Sequence, residues 1–265
     1  MRQALLWAAG GTGFIFLMTS LGSGMVFLFK GAKSSRMQRV FLGFAAGVMI
    51  AASIWSLLLP AIEEAEAAGM PGWIPAAGGF VLGAVFLFGL DRLIPHLHAV
   101  SNTFEGPSSR QKRTTLLISA LTLHNIPEGM AVGLAFALAA QHQGSAALYA
   151  SAVALALGIG IQNFPEGAAV SLPLRQEGMP LGKAFLMGIV SGAVEPVFGM
   201  LTVLSVSLVG QFMPWLLSFA AGAMMYVVVE ELIPEARGSE HGDVLGTAGV
   251  MGGFLIMMIL DVALG

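Results

Sequence analysis

Cysteine is absent from all 265 residues, which excludes both disulfides and thiolate metal ligands. Charge is nearly as scarce: Asp, Glu, Lys and Arg make up 10% of the chain, against about 25% in a soluble domain. No basic cluster offers an electrostatic footprint for nucleic acid, so none is expected as a partner. What fills the chain instead is apolar, with 56% hydrophobic residues and a mean hydropathy of +0.83. That balance belongs to the membrane class, with the lipid bilayer as the principal partner. The 35 glycines suit close helix approach in lipid. The first apolar run follows Arg2 without a clear small-residue cleavage site, so it reads as a span and not as a removed signal peptide.

A helix needs about 20 apolar residues to cross a bilayer. The pattern predicts an all-α membrane protein whose single transmembrane domain, 1–265, holds eight spans, at about 4–29, 37–60, 73–95, 114–140, 146–172, 181–208, 212–235 and 244–264. Lys30, Lys33, Arg36 and Arg39 fall between spans one and two. Arg92, Arg110, Lys112 and Arg113 fall between three and four, Arg175 and Lys183 between five and six, and Arg237 after seven. Eight spans place all of these on one side, which the positive-inside rule makes cytoplasmic, with both termini outside. Glu63, Glu64 and Glu66 then face outward, either as a solvated helix end or as a cation-gathering mouth.

Short motifs recur in order. Phe44-Ala45-Ala46-Gly47 in span two returns as Phe219-Ala220-Ala221-Gly222 in span seven, and each span continues to a proline and acids. Gly78-Gly79-Phe80 in span three returns as Gly252-Gly253-Phe254 in span eight, followed by Asp91 and Asp261 respectively. The charge rule runs the paired spans in opposite directions. The expected arrangement is therefore 3+2+3, two inverted triplets around spans four and five, which is a transporter signature with its site at the midplane.

Spans four and five carry near-copies of one polar hexapeptide: His124-Asn125-Ile126-Pro127-Glu128-Gly129 and Gln162-Asn163-Phe164-Pro165-Glu166-Gly167. An ionisable residue at mid-membrane costs about 2.5–3.5 kcal/mol on insertion scales, so such residues mark function by default. Residues three and four apart share a helix face, so each motif aims an imidazole or amide, a second amide and a carboxylate in one direction. Each proline also releases a backbone carbonyl one turn earlier, which at this depth needs a partner such as a cation. A third acid, Glu195, stands in Ser191-Gly192-Ala193-Val194-Glu195-Pro196 of span six. Three carboxylates cannot all stay ionised together in low dielectric without cations or protons. Imidazole, amide and carboxylate suit Zn²⁺ and its neighbours Cd²⁺, Fe²⁺ and Mn²⁺, whereas an all-oxygen set would have pointed to Mg²⁺ or Ca²⁺. Asn125 and Asn163 have a second reading as interhelical hydrogen-bonding groups. Glu230 and Glu231 read either as a salt bridge or cap near the inner face or as part of an exit path. Asp91 and Asp261 lie near span ends, within reach of water.

These motifs, spread over the whole chain, resemble the ZIP (Zrt/Irt-like) family of metal transporters, in its bacterial branch related to GufA. The resemblance implies eight helices and uptake of divalent metal, zinc first among them, across the bacterial cytoplasmic membrane through a binuclear centre. It implies one metal position on His124, Glu128, Gln162 and Glu166. A second would use Asn125, Asn163 and Glu195, with Glu128 and Glu166 bridging. It also favours a homodimer. The chain departs from the pattern at Gln162, where many members have His, and at Asn163, where some have Asp, which weakens the charge of both positions. The family's His-rich loop between spans three and four is nearly absent, so regulation through it is not expected. The rival expectation, an intramembrane metal-dependent hydrolase, lacks the His-Glu-x-x-His helix such chemistry commonly uses.

Overall fold

The computed structural model describes residues 2–28, 35–93, 96–97, 104–105, 113–142, 145–176, 178–209, 212–237 and 244–264. Apart from one two-residue antiparallel pair, His96–Leu97 with Phe104–Glu105, their regular structure is helical. That follows from the solvent the sequence implies. In hydrocarbon every backbone N–H and C=O must be satisfied within its own segment. The helices are α1 (Arg2–Ser23), α2 (Ser35–Ala52), α3 (Leu59–Ala67), α4 (Trp73–Leu93), α5 (Arg113–Gln141), α6 (Ala146–Gln176), α7 (Leu181–Gly192), α8 (Val194–Val209), α9 (Met213–Val227), α10 (Ile233–Arg237) and α11 (Leu245–Leu264).

Among the described residues, seven helical segments are long and apolar enough to cross a membrane: Arg2–Phe27, Arg39–Ala67, Trp73–Leu90, Ala146–Arg175, Leu181–Val206, Met213–Arg237 and Leu245–Ala263. The expected fourth span is occupied by α5, a 29-residue helix. The side chains of its first turns lie outside the described residues.

One expected boundary is corrected, and one span is interrupted within its expected bounds. Span two does not stop at Pro60. A wide π turn, Ser53–Leu58, links α2 to α3, and the helix runs on to Ala67, so Glu63, Glu64 and Glu66 ride on its last two turns. Proline lacks an N–H and crowds the carbonyl four residues back, and a wider turn at that point removes the crowding. The same device precedes Pro234, where a π turn over Val228–Leu232 joins α9 to α10. Each π turn begins nine residues after the Phe of its Phe-Ala-Ala-Gly motif. Span six, conversely, is broken at Ala193 into α7 and α8, which puts Glu195 in the first turn of α8.

The most extensive helix packing joins α2 to α11, α4 to α9, α1 to α6 and α5 to α8. The recurring motifs are the surfaces of two of these seams. A Cβ on Gly47 would strike the backbone of Val250 and Phe254, and one on Gly253 would strike the backbone of Phe44. Likewise Gly83 rests on the backbone of Phe219, and Gly222 on that of Phe80. Each Phe-Ala-Ala-Gly therefore seats against a Gly-Gly-Phe of another span, backbone to backbone, as small residues allow in lipid. The core between the seams is built of Ile15, Met49, Leu57, Leu134, Leu155, Met224 and Met257, all fully buried.

Candidate metal centre

α5, α6 and α8 meet where both hexapeptides lie. Asn125 and Glu128 of α5, Gln162, Asn163 and Glu166 of α6, and Glu195 of α8 are all buried. Helical spacing aims the members of each motif one way, and the motif glycines bring the helices together. A Cβ on Gly129 would collide with the backbone of Glu195, and one on Gly167 with the carbonyl of Thr19 in α1. Gly129 thus seats α5 directly on the acid of α8, and Gly167 seats α6 on α1.

The polar atoms form a connected cluster. The Gln162 amide donates to Glu128 Oε1 at 2.6 Å. The Asn163 amide donates to Glu195 Oε1 at 3.0 Å, and the Thr19 hydroxyl donates to the same oxygen at 2.9 Å. Glu128 is within electrostatic reach of both Glu166 and Glu195, and Glu195 of Glu166. Asn125 donates from Nδ2 to the carbonyl of Ser191 at 2.9 Å, tying α5 to the end of α7. This interhelical bond is made by the amide nitrogen of Asn125.

Four acceptor oxygens in the cluster have no hydrogen-bond partner among the described residues: Glu128 Oε2, Gln162 Oε1, Asn163 Oδ1 and Glu195 Oε2. Buried acceptors are seldom left so, because each carries a desolvation penalty of about 1–3 kcal/mol. The set is oxygen-rich, anionic and short of donors, which is the chemistry of a cation site. Among the described residues, no three His, Asp or Glu side chains already close on a common point. Amide hydrogens hold the carboxylate oxygens instead. The side chain of His124 lies outside the described residues, as does that of Asp91.

The remaining sequence-predicted acids scatter. Glu63 is exposed, and Glu64 pairs with His142, beyond the end of α5, at 2.8 Å. Glu230 is exposed and Glu231 buried on the π turn after α9. Asp261 differs from the expectation of a water-reached span end. It is buried, accepts from Ser56 at 2.6 Å, and keeps Oδ2 unpartnered. The π turn of span two carries Ser56, whose hydroxyl reaches Asp261 of α11. Thr19 was not singled out by sequence, since one Thr in an apolar helix ordinarily bonds its own backbone.

This multi-pass helical chain buries three acids and three amides at the junction of three helices, and comparison with known proteins places it in a family. A model described as ZIP Zinc transporter matches residues 102–261. Human "Zinc transporter ZIP11" is 38% identical over 99% of this chain and 97% of its own length. "Zinc transporter ZIPB" of Bordetella bronchiseptica is 40% identical over 99% of the chain and 81% of its own length. "Zinc transporter GufA" of Myxococcus xanthus is 36% identical over 88% and 89%. The chain belongs to the ZIP family, whose members are transporters and not enzymes. The hydrolase alternative finds no support.

Proposed function

We propose that this protein moves a divalent transition metal, zinc foremost and Cd²⁺, Fe²⁺ or Mn²⁺ as competitors, across the cytoplasmic membrane of a bacterium into the cytoplasm. The observation that carries the reading is the burial of Glu128, Glu166 and Glu195 near one another, beside four acceptor oxygens with no hydrogen-bond partner among the described residues. In this reading His124, Glu128, Gln162 and Glu166 hold one ion and Asn125, Asn163 and Glu195 a second, with Glu128 and Glu166 shared. Metal gathers at Glu63 and passes Asp261. It leaves past Glu230, Glu231 and Asp91.

α5 is the eighth span: at about 1.5 Å per residue its 29 residues reach about 43 Å, ample for a bilayer. The 3+2+3 inverted arrangement draws support from packing. Exchanging spans one, two and three with six, seven and eight, and four with five, turns the α1–α6 seam into α8–α5 and the α2–α11 seam into α9–α4. Those are the four principal seams. Two groups result, one of α1, α5, α6 and α7–α8, the other of α2–α3, α4, α9–α10 and α11. Alternating access is a movement of the first group, which holds the centre, against the second. The protein works as a homodimer with both termini outside.

The test is zinc uptake into proteoliposomes containing the purified protein. Wild type should accumulate zinc, and Glu128→Ala and Glu166→Ala should not, although both insert. Full uptake by both variants would overturn the assignment.

A further inference from the structure

We infer that Thr19, in the first span, is a positioning residue of the metal centre: its hydroxyl fixes the carboxylate of Glu195 so that Oε2 faces the ion. The inference rests on the metal-centre reading above, and its own footing is geometric. Thr19 is buried, and its single hydroxyl hydrogen has two acceptors in range, Glu195 Oε1 at 2.9 Å and the carbonyl of Ile15 at 3.2 Å. The bond to the carboxylate is the shorter of the two. With Asn163 also donating to Oε1, that oxygen is fully engaged and Oε2 is the one left without a partner. A carboxylate pinned through one oxygen presents the other in a fixed direction, which is how partners behind a ligand orient it.

The fold gives a reason for a hydroxyl at this place. Thr19 and Glu195 are 176 residues apart. The same spacing takes Thr12 to Gly188 and Ser23 to Gly199, and the close approach of Gly199 to Thr12 is matched by that of Gly188 to Ser23. Gly129 resting on Glu195 is matched by Gly167 resting on Thr19. Thr19 thus occupies the counterpart position of Glu195 in the inverted triplet, and the two touch as counterparts do beside a two-fold axis. One triplet supplies the carboxylate and the other the hydroxyl that holds it, so a second charge is avoided in a place already crowded with three.

Thr19→Val removes the hydroxyl but keeps the branched shape that fills the space beside Gly192. Thr19→Ser keeps the hydroxyl and loses the methyl. Thr19→Ala is a second hydroxyl-free form, should Val fail to assemble. The readout is the zinc dependence of initial uptake by proteoliposomes of the full chain. Loss of the hydroxyl should raise the half-saturating zinc concentration about 10-fold, as loss of an orienting partner commonly does. Thr19→Ser should stay close to wild type. On a Glu195→Gln background, Thr19→Val should add nothing further, because its partner is already altered. Wild-type behaviour of the hydroxyl-free forms, or a full additional factor on the Glu195→Gln background, overturns the inference while leaving the centre standing. Wild-type behaviour of Glu195→Gln would instead sink the placing of Glu195 in the centre, and this inference with it.

Discussion

At the scale of single residues, the chemistry turns on how few hydrogen-bond donors the three buried carboxylates share. Gln162 spends its amide on Glu128, while its own Oε1 has no partner. An imidazole in that position would be a stronger ligand, but only when deprotonated. Gln162→His should therefore tighten zinc binding at neutral pH. That gain should fade as the pH falls through about 6.5, the ordinary histidine range. Competition binding of zinc to purified protein between pH 5.5 and 7.5 checks the sign. If the variant binds more weakly at every pH, position 162 does not face the ion. The hexapeptides were legible in the sequence because polar, proline-broken motifs inside apolar runs have few structural uses. Thr19 was not, since nothing local separates a hydroxyl bonded to its own helix from one that also reaches a carboxylate 176 residues away.

Elements are held by glycine. Because a Cβ on Gly129 or Gly167 would meet backbone, which cannot turn aside, Gly129→Val and Gly167→Val should force α5 off α8 and α6 off α1. The expected outcome is loss of zinc uptake with every ligand still present, and zinc binding measured in parallel should fall as well. Gly47→Ala acts elsewhere, on the α2–α11 seam, where the new methyl meets Val250 and Phe254. Overpacking of this kind costs about 1–3 kcal/mol. Thermal unfolding in detergent should come at lower temperature, while the half-saturating zinc concentration of the surviving protein should hardly move. Periodicity and hydropathy place the spans but miss the continuation of span two to Ala67 and the break within span six. Span two is expected to end near Pro60 because the apolar run gives way to acids there. A π turn let the helix pass, and such a turn leaves no mark in composition. The break at Ala193 does follow Gly192 and precede Pro196, but Gly and Pro also stand inside the unbroken α5 and α6, so these residues alone do not mark an interruption.

The whole molecule divides along its weaker contacts. The repeated motifs pointed to paired triplets, but which helices would touch could not be read from them, because similarity in sequence says nothing about partners. The packing of Phe-Ala-Ala-Gly of α2 on Gly-Gly-Phe of α11, and of Phe-Ala-Ala-Gly of α9 on Gly-Gly-Phe of α4, supplies the link. Among the described residues, Glu64 on α3 meets His142 beyond α5 across the two groups, at 2.8 Å. The chain has no cysteine, so a pair of thiols introduced there would react alone. Glu64→Cys with His142→Cys, joined by a short cleavable bis-thiol reagent, should arrest uptake if the groups must move past one another. Reduction should restore it. Unchanged uptake by the cross-linked protein would speak for a path open without such movement.

Crystals of the purified protein soaked in zinc or cadmium, with the metal located by anomalous scattering, would test the shared centre most directly. The account predicts a peak between α5 and α6 at about 2.0–2.2 Å from carboxylate oxygens of both Glu128 and Glu166 for zinc. Metal found only at other places, with those two carboxylates bearing none, would contradict it.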